Sequence, residues 1–213
     1  MDAEQVQALF TRADGTYLFA RWGRPIVPVV FGVEEATLSV VKGAVEAVVA
    51  LAGHRMAETD PELGANLMIF FFRDWAELTE VPNLDRLVPG LEALCDRLAA
   101  AEANQYRIFR FDQDGAIRAV FVFLRMDAHL EAVPAETLAL SQAVQMILLW
   151  SDRAFGAQSP LVLAEAGGAM AGGAMLRPEI AAVIRAGYDP VLPAMASDPA
   201  HALRLFARIG RPA

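Results

Sequence analysis

The apolar positions of this chain fall into runs whose period changes from segment to segment. "RPIVPVVFG" (24–32) is apolar, β-branched and closed by Gly32, which predicts a buried strand. In "VEEATLSVVKGAVEAVVALAGH" (33–54), Leu38, Val41, Val45, Val48, Val49 and Ala52 recur at helical spacing. Glu34 and Glu35 suit the positive end of that helix, and Gly53 supplies a stop. "ANLMIFFF" (65–72) predicts a second buried strand. Strand, helix and strand in this order usually form a parallel pair.

The segment 73–83, with Pro82 and Asn83, predicts a loop, and 84–103 a helix broken at Pro89–Gly90. "YRIFRFDQDGAIRAVFVFLRMD" predicts two strands joined by the tight turn "DQDG". On the first arm Tyr106, Ile108, Phe109 and Phe111 stand against Arg107 and Arg110. "ETLALSQAVQMILLWSDRAF" (136–155) is apolar almost all round, which predicts a central helix. Pro178 and Gly187 bracket a further helix, and Asp198 caps a terminal one in "DPAHALRLFARIG" (198–210). The expected architecture is one α+β domain over 1–213. Its mixed sheet uses 26–31, 66–72, 106–112 and 117–124, and helices 34–53 and 136–152 pack on one face.

Composition narrows the classes. Of 213 residues 55% are apolar and 21% charged, which excludes a disordered chain. Mean hydropathy is high, at +0.35. The apolar runs "LMIFFF", "AVFVFL" and "MILLW" are nonetheless far shorter than the roughly 20 residues of a membrane span. Neither a basic start nor an apolar core marks "MDAEQVQALF", so a cytoplasmic location is the expectation. A net charge of −8, with Lys42 the sole lysine, argues against nucleic acid. Cys95 is alone, so neither disulfides nor a cysteine-based zinc site arises. High apolarity also raises the expectation of a homo-oligomer.

The candidate chemistry lies in "LALSQAVQMILLWSD" (138–152). In HExxH, two His residues at i and i+4 hold zinc from one helical face, and the Glu takes a proton from bound water. Ser141, Gln142 and Gln145 occupy those three places. A hydroxyl and two amides are poor zinc ligands, and none is a base near neutral pH. No metal and no cofactor is expected there. The order strand, long helix, strand, antiparallel strands, central helix is that of zincin-type metallopeptidases.

Three further stretches, "RWGRPIVPVVFG" (21–32), "QMILLWSD" (145–152) and "IRAGYDPVLPAM" (184–195), extend the likeness. With them the chain resembles a bacterial family of unknown function described as zincin-like. In that family the central helix ends in a pattern like Gln-x-Leu-Gly-Leu-x-Asn-Asp, and a Leu-Arg-x-Leu-Tyr-Asp-Pro stretch follows. The chain departs from it where Gln142 stands at an often acidic position and where Leu148 replaces Gly, and "MDAEQVQALF" is not expected to serve as an export signal. The resemblance implies a zincin-like fold and no activity.

Two function classes follow. In the first, a pseudo-metallopeptidase domain holds a peptide or protein partner in a cleft with Ser141, Gln142, Gln145, Trp150, Asp152, Tyr188 and Asp189 as candidates, alongside Trp22 and Trp75. In the second, an enzyme of another hydrolytic chemistry uses Asp152, Asp189 or the cluster Asp127, His129 and Glu131, which share a face if "DAHLE" is extended. The glycine-rich 167–173 is then its lid. A triad of Ser141, His129 and Asp152 has no nucleophile-elbow sequence behind it.

Overall fold

The computed structural model describes residues 1–163 and 173–209. Helix α1 (Ala3–Ala8), opened by a reciprocal Asp2–Gln5 capping box, leads through the two-residue β1 (Phe19–Ala20) to β2 (Pro28–Phe31). Helix α2 (Glu35–Leu51) returns the chain to β3 (Leu67–Phe72). A 3₁₀ helix (Trp75–Glu80), α3 (Leu84–Leu87) and α4 (Leu91–Ala100) follow. The hairpin β4 (Gln105–Phe111) and β5 (Ile117–Arg125) then leads to α5 (Ala128–Glu131) and α6 (Ala135–Ile147). The remainder is β6 (Leu161–Leu163), β7 (Ala174–Leu176), α7 (Pro178–Gly187), β8 (Met195–Ala196) and α8 (Ala200–Phe206).

The main sheet has the order β2-β3-β5-β4. β2, β3 and β5 are parallel, and β4 runs antiparallel at the edge, so the expected mixed sheet and parallel strand–helix–strand unit are present. Alternate residues of β3 and β5 supply two cores. Leu67, Ile69, Val120, Val122 and Leu124 meet α2 and α6 on one face. Phe70, Phe72, Phe121 and Phe123 meet Trp75, Leu84, Leu91 and Leu98 on the other. Strands covered on both faces read as unbroken apolar runs, which is why "LMIFFF" and "AVFVFL" show no polar alternation. Arg110 pairs with Ala119 and Phe111 with Ile117, leaving Arg118 as a bulge. The extra residue returns Ile117 to the α2/α6 core, where it is fully buried.

Three expectations change. Helices α2 and α6 do share a face, but the opposite face carries a helical layer of its own. The loop expected over 73–83 contains the 3₁₀ helix, because Asp74 and Glu77 form a capping box and Trp75 and Leu78 are buried. The helix expected over 136–152 stops at Ile147, and Leu148 is extended and bridges to Arg21. No described helix is long and apolar enough to cross a membrane.

Candidate functional site on the central helix

Helix α6 is preceded by Pro134, whose fixed φ suits a helix entrance, and packs against α2. Ser141 and Gln145, one turn apart, are joined by one hydrogen bond: Gln145 Nε2 donates to Ser141 Oγ at 2.9 Å. Gln142 is 2% exposed and points at edge strand β4. Its Nε2 donates to Gln105 Oε1 at 2.9 Å, and its Oε1 accepts a short hydrogen bond from Arg107 Nη2. The same Nη2 lies 3.1 Å from Gln105 Oε1.

Arg107, which stands against the apolar residues in the strand's alternation, nonetheless has a buried guanidinium. On β4, Tyr106 and Ile108 join the aromatic core, whereas Phe109 and Arg107 face α6. The apolar/basic alternation therefore does not separate core from solvent, since both faces of the strand are covered. Burial lowers the Arg107 pKa to about 10, and no carboxylate of the described residues pairs with it. Its Nε is enclosed without a partner. Two amide oxygens thus solvate a cation that burial penalises. The signal available in sequence was the break in alternation at "IFRF".

The other candidates have structural duties. Trp150 Nε1 donates to Val144 O at 2.8 Å, with its ring stacked on Phe10. Tyr188 Oη donates to Ile147 O at 2.9 Å, and burial raises its pKa. Trp22, fully buried, donates from Nε1 to Met146 O at 2.9 Å. Three of the last four carbonyls of α6 are therefore bonded by aromatic side chains, where helices more often end on glycine. Trp75 Nε1 donates to Ala103 O within the second core.

Asp152 accepts the Ala13 N–H at 3.1 Å, fastening the N-terminal segment. Asp189 takes Arg208 Nε at 2.6 Å and the Val191 N–H. The "DAHLE" segment is helical rather than extended: Asp127 caps α5 by accepting from His129 N and Leu130 N. Side chains that alternate along a strand do not share a face there, so the suggested cation geometry is replaced by a helix cap. Among the described residues no three His, Cys, Asp or Glu side chains converge as metal ligands do. Nor do hydrogen bonds link Ser141, His129 and Asp152 into a triad. Apart from Gly173, the glycine-rich segment 167–173 lies outside the described residues.

No protein-family model matches the chain, and no match was found among curated proteins or solved structures.

Proposed function

We propose that the protein is a non-catalytic, zincin-like binding domain that takes an extended peptide or partner segment along β4. The observation that carries this reading is the hydrogen bonding at the three HExxH-spaced positions. Gln142 is spent on Gln105 and Arg107, and Ser141 and Gln145 on each other. A hydroxyl and two amides are poor zinc ligands and none is a base near neutral pH, so a peptidase step has no executor there. β4 is the edge of the sheet, and no described strand pairs with its outer side. Such an edge presents a row of main-chain donors and acceptors, and an added strand satisfies them. The zincin-like designation rests on the motif spacing and the order of elements.

The test is selection of extended peptides from a random display library with the native protein, followed by amide hydrogen exchange on the complexes. Protection of alternate β4 amides is the expected outcome. Binders that leave β4 unprotected, or a chelator-sensitive peptidase activity, overturn the reading.

A further inference from the structure

Away from β4, the carboxyl ends of the three parallel strands deliver Gly32, Phe71 and Met126 to one cavity of about 450 Å³. Crevices at the carboxyl ends of parallel strands are where open sheets usually take ligands, and this volume suits a small molecule. The first turns of α2 and α6 form two walls through Thr37 and Leu138, and the α5 segment a third through Leu130 and Val133. Gly32 has φ +78°, and a Cβ there would sit 2.0 Å from the Phe71 carbonyl oxygen. Only glycine allows β2 to turn away at that point and leave the mouth open.

Phe71, Met126 and Val133 remain only half-buried, so the cavity wall is apolar surface in contact with water. The charged residues lining it are Glu34 and Glu131, and neither has an ion-pair partner among the described residues. No Arg or Lys lines it. The two helix N-termini carry about half a positive charge each, which two full carboxylates outweigh. The chain's net charge of −8 acts in the same direction.

We infer that this cavity binds a small organic amine: an apolar body against Phe71, Met126 and Val133, and an ammonium facing Glu34 and Glu131. An anionic amphiphile of the same shape meets two like charges and no cation. The inference is independent of peptide binding at β4, and either can fail alone.

The probes are 4-phenylbutylamine and 4-phenylbutyrate, titrated into the native protein and followed by amide chemical shifts. The amine is expected to shift residues 32–37 and 126–138 saturably, and the acid to bind at least tenfold more weakly. Glu131→Gln, an exposed change that leaves the core intact, should weaken the amine about fivefold at low salt and less at high salt. Val133→Trp should block both probes by filling the mouth. Equal binding of acid and amine, an unchanged affinity in Glu131→Gln, or shifts confined to other residues overturns the inference.

Discussion

The indole of Trp22 donates to the carbonyl of Met146 at 2.9 Å, across 124 positions of sequence, and so ends helix α6 from outside. Tyr188 does the same at Ile147 and Trp150 at Val144. Deleting the Tyr188 hydroxyl with Tyr188→Phe leaves the Ile147 carbonyl without its donor, at an expected cost of about 1–3 kcal/mol in denaturant unfolding. Trp22→Phe also opens a small void in the core and should cost somewhat more, about 2–4 kcal/mol. Losses below about 0.5 kcal/mol in both would mean that the helix end is held by something else.

These donors explain what was legible in the chain and what was not. β2, β3 and the hairpin announce themselves locally, through β-branched runs and the "DQDG" turn, and their positions follow the pattern to within two residues. The end of α6 is only partly local. "MILLWSD" carries no glycine or proline, and of the three aromatic donors only Trp150 is local, the other two arriving from β1's neighbourhood and from the end of α7. The same limit hid Arg107. A basic residue in an alternating strand looks solvent-facing unless the second helical layer, α3 and α4, is known to cover the other face. The three candidate positions on α6 were identifiable from spacing, but their partners Gln105 and Arg107 were not.

The Arg107–Gln142 pair predicts a non-additive response. Gln142→Leu strips a buried guanidinium of an acceptor and should destabilise by about 2–4 kcal/mol. Adding Arg107→Met removes the stranded cation, and the double variant should recover most of that loss. A thermodynamic double-mutant cycle measures the coupling. Additive losses would show that the two side chains do not depend on each other.

His201, on α8, is 3% exposed, with Tyr17 Oη 3.0 Å from Nδ1 and Nε2 enclosed without a partner. Burial, assisted by Arg204 and Arg208, lowers its pKa to about 4, against an ordinary 6.5. The folded state therefore resists the proton that the unfolded chain accepts. His201 contributes its full stability above pH 6.5, loses it progressively as pH falls to about 4, and changes little below that. The loss is of the order of 3 kcal/mol. His201→Phe should flatten this acid limb of the stability–pH curve, measured by denaturant midpoints between pH 4 and 7. An unchanged limb would assign it to other groups.

Restoring the metallopeptidase spacing tests the site constructively. Ser141→His, Gln142→Glu and Gln145→His together supply two imidazoles and a carboxylate. In this structure, however, position 142 faces Arg107, so the new carboxylate pairs with that cation instead of serving as a free base. Weak zinc binding with no peptide hydrolysis is expected in calorimetry and in a peptide-cleavage assay. Zinc-dependent cleavage by the triple variant would show that the Arg107 contact yields easily.

On the reading proposed above, the α6 face is a side-chain hydrogen-bond network and not a metal site. Calorimetric zinc titration of the unmodified, chelator-stripped protein tests it most directly, with Gln145→Ala as the control for location. No site tighter than about 10 µM that depends on Gln145 is expected, since a hydroxyl and amides cannot replace imidazole or carboxylate ligands. A one-to-one zinc site of nanomolar affinity that Gln145→Ala abolishes would contradict it.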